Sequence, residues 1–169
     1  MHQLINPNNS CSFSGYRPEK LPWGTDENSH RCATLLNNLS LTLRKVFDSG
    51  VQHFICGMAR GCDTYFCEAV ISLRESFPTI SLEAAVPFNK QAQAWSEFER
   101  ERYEGLLSRC DTVTFVSEDY SRSCMMKRNR YMVNNSSVLI AVFDGKPGGT
   151  SNTVNYAKKR GIEIILIEP

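Results

Sequence analysis

Six strand-like apolar runs alternate along the chain with segments of helical periodicity, and this alternation constrains the fold more than any other feature. The runs cover residues 11–15, 51–57, 80–88, 111–117, 136–145 and 162–168. Apolar residues at helical spacing predict helices over residues 28–48, 91–108, 124–133 and 151–160, and another around residues 66–73. Strictly alternating strands and helices form a mostly parallel sheet with helices on both faces. The sequence therefore predicts a doubly wound α/β domain with about six strands.

Domain organisation and cellular location follow from length and composition. The 169 residues, 41% of them hydrophobic, are enough for one domain with a real core, and residues 1–10 are predicted to be an N-terminal extension. A net charge of +1 argues against a dedicated nucleic-acid binder. The N-terminus is short and polar, and no apolar run reaches the roughly 18 residues of a membrane span. We therefore expect a cytoplasmic protein that does not enter the membrane.

Seven cysteines raise the alternatives of a disulfide framework, a metal site or buried thiols. Their odd number and scattered positions favour reduced thiols in the core. Cys56, Cys62 and Cys67 cluster near His53, but the chain has none of the close CxxC or HxxxH ligand pairs of structural zinc sites. We therefore predict no metal.

The unusual residues follow strands. The segments "GYRP" (15–18), "GMARGCD" (57–63), "PFNKQ" (87–91), "EDYS" (118–121) and "DGKPGGT" (144–150) each lie after one of the first five predicted strands. In open α/β sheets, ligands bind outside the carboxyl ends of the strands. Five independent loops thus point to a ligand site at one edge of the sheet.

Two of these loops place glycines at the predicted start of a helix. Small residues there let a phosphate approach backbone N–H groups, where the helix dipole also favours an anion. Gly57 and Gly61 belong to the first turn, and Gly148, Gly149 and Thr150 belong to the second. The alternative is that the glycines only permit tight turns, and that Asp63 is only an N-cap.

Side chains in the same loops suit a nucleotide. Arginines make bidentate contacts with phosphate or carboxylate, and aromatic rings stack on bases. Arg17, Arg60 and Arg128 are the candidate arginines, and the alternative for each is a solvated surface position. Tyr16, Trp95 and Tyr131 are candidate stacking groups or core residues. Asp144 is a candidate for a ribose hydroxyl or simply a turn residue with Gly145.

Common catalytic and cofactor motifs are absent from the sequence. It has no GxGxxG after the first strand, no GxxxxGK[ST] and no GxSxG, which argues against ordinary NAD-dependent hydride transfer, P-loop ATPases and nucleophile-elbow hydrolases. The three histidines lie outside the candidate loops. His-based acid–base catalysis therefore has little support.

The segments "SGYRP", "GMARGCD", "AVPF" with "QAQAW", "RNRYMV" and "DGKPGGT" occur in an order that resembles the YpsA-like branch of the SLOG superfamily, named for DprA and the LOG enzymes. The resemblance covers residues 11 to 167 and implies a Rossmann-like fold that binds nucleotide-derived ligands. The ligand-binding residues expected on these grounds are Gly15, Tyr16, Arg17, Gly57, Arg60, Gly61, Asp63, Gln91, Trp95, Arg128, Asn129, Asp144, Gly148, Gly149 and Thr150.

The segment from Arg128 also resembles the LOG pattern, in which RKxxM precedes a strand and PGGxGTxxE. LOG enzymes hydrolyse the N-glycosidic bond of nucleoside monophosphates with that Arg and the final Glu. Here Arg128 and Met132 match, and Asn129 replaces the lysine. The Glu position falls on Asn152 or near Asn155, depending on the alignment. The resemblance thus supports a phosphate and ribose site more than hydrolysis.

Three hypotheses follow, none of which requires a cofactor. In the first, the protein is a sensor or adaptor that binds a nucleotide, nucleotide-sugar, ADP-ribose or NAD-type molecule. In the second, it hydrolyses a nucleotide N-glycosidic or phosphoribosyl bond and takes its acid from Asp63 and Asp144, chosen over Glu118 and Asp119 because they lie in the Gly-rich loops. In the third, it binds single-stranded DNA as the DprA proteins do, which the balanced charge disfavours. A homo-oligomer is compatible with the sequence.

Overall fold

A computed structural model describes residues 5–169, and its centre is one six-stranded sheet of order β4-β3-β2-β1-β5-β6 with every neighbouring pair parallel. The elements are β1 (Ser10–Ser14), α1 (His30–Asp48), β2 (His53–Cys56), α2 (Cys62–Ser76), β3 (Ser81–Val86), α3 (Glu97–Ser108), β4 (Thr112–Phe115), α4 (Cys124–Asn134), β5 (Val138–Val142), α5 (Gly149–Arg160) and β6 (Glu163–Ile167). The predicted doubly wound, Rossmann-like α/β fold is confirmed.

The helices form two layers. On one face α1, α2 and α3 pack over the large core, and on the other face α4 covers the centre of the sheet while α5 covers β5 and β6. The adjacent strands β1 and β5 are buried along their whole length. Burial on both faces explains the continuous apolar run "VLIAV" of β5. In β1 the buried serines Ser10, Ser12 and Ser14 alternate with Cys11 and Phe13.

The strand order reverses between β1 and β5, and this reversal positions the site. From β1 the chain winds outward through β2, β3 and β4, and α4 then carries it back to β5 on the other side of β1. Helices leave β1 and β5 in opposite directions, so a crevice opens between their carboxyl ends. The segments after these two strands are the predicted Gly15–Arg17 loop and the "DGKPGGT" turn.

Some predicted boundaries were wrong. The helix predicted over residues 91–108 begins at Glu97, because Ser96 and Glu99 form a capping box and turns occupy the preceding residues. Phe98, one of the apolar residues of this segment, is 71% exposed. Residues 1–4 of the predicted N-terminal extension lie outside the described residues. Pro7–Asn9 form a short 3-10 helix, and Ser10 already pairs with His53.

The described part of the chain shows the following about membranes, thiols and metals. No helix within residues 5–169 has the length and apolarity to cross a bilayer. All seven cysteines are free thiols, and all except the half-buried Cys110 are buried. The same residues contain no group of three or more His, Cys, Asp or Glu side chains arranged to hold a metal ion.

Candidate functional site

A cavity of about 300 Å³ opens at the reversal between β1 and β5, and we call it the switch-point cavity. Its lining comes from the loop after β1, the loop before α2, one face of α4 and the start of α5. Of the residues predicted for the site, the structure brings together Gly15, Tyr16, Arg17, Asp63, Arg128, Asn129, Gly149 and Thr150. The cavity therefore lies at the edge of the sheet that the loops predicted.

The N-terminus of α5 is open toward this cavity. Gly148 is its N-cap, with a φ of 147° and no side-chain cap, so no side chain accepts hydrogen bonds from the first amides of the helix. A Cβ added at Gly149 would have no neighbouring atom within 4 Å. The first turn of α5 thus presents N–H groups and the positive end of the helix dipole to an anion of the size of phosphate.

The N-terminus of α2 is closed, unlike that of α5. The Cys62 amide donates to the Tyr16 carbonyl at 3.1 Å, and a Cβ at Gly61 would lie 2.8 Å from that oxygen. Gly61 has a φ of +81°, and Gly57 lies against the guanidinium of Arg128. In the "GMARGCD" turn, the glycines permit the close approach of other segments of the same chain. Neither glycine lines the switch-point cavity.

Arg128 and Asp63 bring buried charges to the cavity. Arg128 donates to the Gly57 carbonyl and, through Nε, to Asn129 Oδ1 at 2.8 Å. Its burial lowers the pKa of the guanidinium, and the negative charge of Asp63 opposes this effect. Asp63, 5% exposed, accepts from the Ala59 amide at 2.9 Å. Burial raises the pKa of its carboxyl group, and Arg128 and that amide oppose the rise.

Lys20 is a lining residue that the sequence analysis missed. It lies in a 3-10 helix, Pro18–Lys20, and its Nζ is 3.3 Å from the Pro147 carbonyl, directly beside the start of α5. Its ammonium group would contact a Cβ at Gly148. In the sequence, Lys20 follows Arg17 by three residues, and this spacing indicates that both cations belong to the same loop.

Asp144 lies outside the lining of the switch-point cavity and holds Tyr16 in place. Its Oδ1 accepts from the Tyr16 hydroxyl at 2.5 Å, and its Oδ2 pairs with Lys146 Nζ at 3.0 Å. The Tyr16 hydroxyl and Lys146 lower the pKa of Asp144 to about 2. Both carboxylate oxygens are therefore engaged with the protein, and the residue is ionised at neutral pH.

Arg60, Gln91 and Trp95 lie beside the switch-point cavity. Arg60 pairs with Glu19 and, at 3.1 Å, with Glu99, so its charge is balanced by the protein. With Arg17 and Met125, these three residues line a second cavity of about 130 Å³, which we call the Gln91 cavity. Arg17 and Met125 also line the switch-point cavity, so the two spaces adjoin.

The remaining candidates lie elsewhere. Glu118 and Asp119 line a separate hollow with Phe88 and Tyr120, away from the switch-point cavity. Asn155, at the LOG glutamate position in the alignment on PGG, lines a groove between α4 and α5 together with Asn152. In the alignment on GT that position is Thr153, one residue after the expected Asn152, and Thr153 lines the same groove. Tyr131 donates to the buried Glu83 at 2.5 Å under the sheet-facing side of α4.

Comparison with known proteins places this geometry in a family. The model of the YspA SLOG family matches residues 11–168. The uncharacterized SPbeta prophage-derived protein YoqJ of Bacillus subtilis is 36% identical over 118 residues, which cover 63% of this chain and 69% of that protein. The UPF0398 protein BH1768 of Halalkalibacterium halodurans is 28% identical over 166 residues, which cover 94% and 87% of the two chains.

Solved structures of DNA processing protein A show the same fold. The protein from Streptococcus pneumoniae has a TM-score of 0.65 at 15% identity, over 96% of this chain and 51% of that one. The protein from Helicobacter pylori has a TM-score of 0.63 at 12% identity, over 97% and 66%, and its structure describes a single-stranded DNA binding mode. This chain thus spans about half of the first protein and 66% of the second.

Proposed function

Because the chain belongs to the YspA SLOG family, as its motifs predicted, we propose that it binds a phosphate-bearing, nucleotide-derived ligand in the switch-point cavity. The observation that carries the proposal is the uncapped start of α5, which faces the same cavity as Arg17, Lys20 and the buried Arg128. Unpaired amides, a helix dipole and guanidinium groups in one cavity form an anion site.

The charges of the lining also favour an anion. Arg17, Lys20 and Arg128 bring three positive charges, and Glu19 and Asp63 are the acids among the lining residues. Glu19 is already paired with Arg60, and a backbone hydrogen bond at Glu19, together with the hydrogen bond and charge of Arg60, lowers the pKa of its carboxyl group. A phosphate dianion would therefore meet an excess of positive charge at short range, in a site with less solvent screening than a surface patch.

Binding without catalysis is the function that this geometry supports best. No step of binding needs a nucleophile or a base, and Asp144 is fully engaged with Tyr16 and Lys146. A protein that binds a nucleotide-derived molecule in this way would act as a sensor or adaptor. Filling the cavity with a charged ligand would stabilise the folded chain by mass action.

The test is a calorimetric binding titration of the purified protein with AMP, ADP-ribose, NAD and inorganic phosphate. We expect saturable binding of one or more of the nucleotides, and weaker binding of inorganic phosphate, which lacks the contacts of base and ribose. Native mass spectrometry of freshly purified protein would identify a co-purified nucleotide by mass. Absence of saturable binding by all four compounds would contradict the proposal.

Hydrolysis of an N-glycosidic bond is a second candidate, favoured by the position of Asp63. It is a buried carboxyl group in the cavity, and burial raises its pKa, as general acids require. Incubation with AMP and ADP-ribose should then release free base and lose this activity in Asp63→Asn. Tight binding with no released base would leave the sensor or adaptor role.

Single-stranded DNA is a third candidate, favoured by the fold shared with the Helicobacter pylori protein. DNA bound through its phosphates should dissociate steeply as the salt concentration rises. Competition distinguishes it from the nucleotide site, because an oligonucleotide that occupies the switch-point cavity should be displaced by ADP-ribose. An oligonucleotide that is not displaced binds somewhere else on the chain.

A further inference from the structure

The edge strand β4 is the least covered strand of the sheet. Its one neighbour in the sheet is β3, and the side chains of Thr112, Val113 and Phe115 are exposed. The strand at the opposite edge, β6, is packed by α1 and α5, whereas β3 is the one element of the described chain in extensive contact with β4. β4 is therefore open along its edge and over much of both faces.

The sequence of β4 favours pairing with a further strand. The stretch "TVTFVS" (112–117) consists of β-branched and aromatic strand formers and one serine, and it contains no proline and no charged residue. Proteins usually protect an exposed edge strand with charges, proline or a covering segment, because its unpaired N–H and C=O groups are a template for another strand. Val113 and Phe115 are 38% and 49% exposed. These features indicate that the edge of β4 is an interface.

The backbone hydrogen bonds of β4 decide which residues a partner strand would meet. The Val116 amide donates to the Val86 carbonyl of β3 at 2.9 Å. Successive residues of a strand point their N–H and C=O groups alternately to its two sides, so those of Val113 and Phe115 point away from β3. Their side chains share a face of the sheet with their register partners Ala84 and Val86, which belong to the large core. A further strand would thus bond to Val113 and Phe115 and cover their side chains.

A second copy of β4 in antiparallel orientation matches this pattern. When two copies pair about Thr114, Val113 of each copy lies opposite Phe115 of the other, and both pairs are hydrogen-bonded. A β-branched residue opposite an aromatic residue stabilises a sheet by about 0.2–1 kcal/mol, and the symmetry of the dimer supplies two such pairs. The edge of β4 is therefore complementary to itself.

The charges beside β4 also fit an antiparallel copy. Arg109 precedes the strand, and the exposed acids Glu118 and Asp119 follow it. Arg109 is itself exposed, and its contact with the exposed Glu75 is long, 3.8 Å, and therefore weak. In the register about Thr114, Arg109 of one copy lies opposite Asp119 of the other, at both ends of the interface. A parallel arrangement would instead bring like charges together.

We propose that the protein forms a homodimer by antiparallel pairing of two β4 strands, which joins two six-stranded sheets into one. A pairing of four residues is short, so the dimer dissociates reversibly with dilution. The inference does not depend on the proposed function, because none of the residues of β4 or of its charged flanks lines the switch-point cavity.

The test is sedimentation equilibrium of the full chain over a range of protein concentrations. The wild-type protein should show a reversible monomer–dimer equilibrium. Val113→Lys places a charge opposite the apolar Phe115 of the other copy and should raise the dissociation constant of the dimer by about tenfold or more, because two cross-strand pairs are lost at once. Leu166→Lys adds the same charge at a 55% exposed position on β6 and is the matched control, which should dimerise as wild type.

A charge exchange tests the direction of the strands and leaves β4 itself unchanged, so it applies even if Val113→Lys does not fold. Arg109→Glu should raise the dissociation constant by about three- to tenfold, because two symmetric ion pairs become repulsive. The double variant Arg109→Glu/Asp119→Arg should restore the wild-type value. No restoration would overturn the antiparallel register. A wild-type chain that is monomeric at every concentration, or a dimer that Val113→Lys and Leu166→Lys affect equally, would overturn the β4 interface.

Discussion

Arg128 and Asp63 bury opposite charges beside one cavity, and the backbone holds each of them: the guanidinium donates to the Gly57 carbonyl, and the carboxylate accepts from the Ala59 amide at 2.9 Å. Each charge moderates the effect of burial on the pKa of the other. A closed ion pair would have no need of a ligand. Because Arg128 and Asp63 are held separately, the Arg128 guanidinium can also donate to a phosphate.

Loss of the buried guanidinium should weaken ligand binding. Arg128→Leu should reduce affinity for ADP-ribose or AMP by about 10- to 100-fold, because a hydrogen bond to a charged group contributes about 1.5–3 kcal/mol. Calorimetric titration measures the change. Lys127→Leu removes the same charge from an exposed position on α4 and is the matched control. Equal losses in the two variants would show that general charge, and not the Arg128 contact, is responsible.

The open start of α5 gives a second prediction. Gly149→Val should abolish binding of phosphate-bearing ligands, because the new side chain would occupy the space beside the helix N-terminus. It should change the free energy of unfolding by only about 0.5 kcal/mol, since a Cβ at Gly149 would meet no atom within 4 Å. Gly105→Val, at an equally open and exposed position on α3, should bind normally. Unchanged affinity in Gly149→Val would mean that the turn is structural only.

The fold was predictable because its signals are local. The runs "VLIAV" and "EIILI" are apolar over whole strands, and their alternation with helical periodicity fixes a parallel sheet and the edge at which ligands bind. The start of α3 was harder to predict. Trp95 fits the apolar spacing of α3, so the pattern predicts a helix that includes it. The capping box of Ser96 and Glu99 instead makes α3 begin at Glu97, after Trp95.

The site was predictable only in part, because its details depend on distant residues. The Cys62 amide donates to the Tyr16 carbonyl, and this bond closes the α2 turn to ligands. Nothing in the local sequence "GMARGCD" indicates this bond. The same holds for Arg60, whose charge is balanced by Glu19 and Glu99 from two other segments. Residue types and loop positions predict which groups approach one edge. They do not predict which of those groups bind each other.

The closed α2 turn gives a third prediction, on stability. Gly61→Ala should destabilise the protein by about 2–4 kcal/mol, the sum of a positive-φ penalty and overpacking. Its φ is +81°, and the added Cβ would lie 2.8 Å from the Tyr16 carbonyl and 3.0 Å from Pro18. Gly50→Ala separates the two effects, because Gly50 has a φ of +108° and open space around it. Urea unfolding should show a loss of about 1–2 kcal/mol for Gly50→Ala. Equal losses would mean that the Tyr16 contact contributes nothing.

A buried acidic network under α4 makes stability depend on pH. Glu83 is completely buried on β3 and accepts from Tyr131 at 2.5 Å and from Thr114 at 2.8 Å. His53 Nε2 lies 2.8 Å from its other oxygen. Burial by itself would raise the pKa of Glu83, but the bonds to His53, Tyr131 and Thr114 together lower it below its ordinary value of 4.5.

A carboxyl group whose pKa is lowered by folding stabilises the folded state above its unfolded pKa, and this contribution is lost as the pH falls through the folded pKa. The fourth prediction is therefore that Glu83→Gln lowers the free energy of unfolding by about 1–3 kcal/mol near neutral pH, since the amide satisfies fewer of the three donors. The difference from wild type should shrink below pH 4.5, where protonation removes the advantage of the carboxylate. Urea unfolding across this range measures it, with the exposed Glu104→Gln on α3 as the control. A difference that stays constant down to acid pH would mean that Glu83 contributes by shape and packing, because only its charge is lost on protonation.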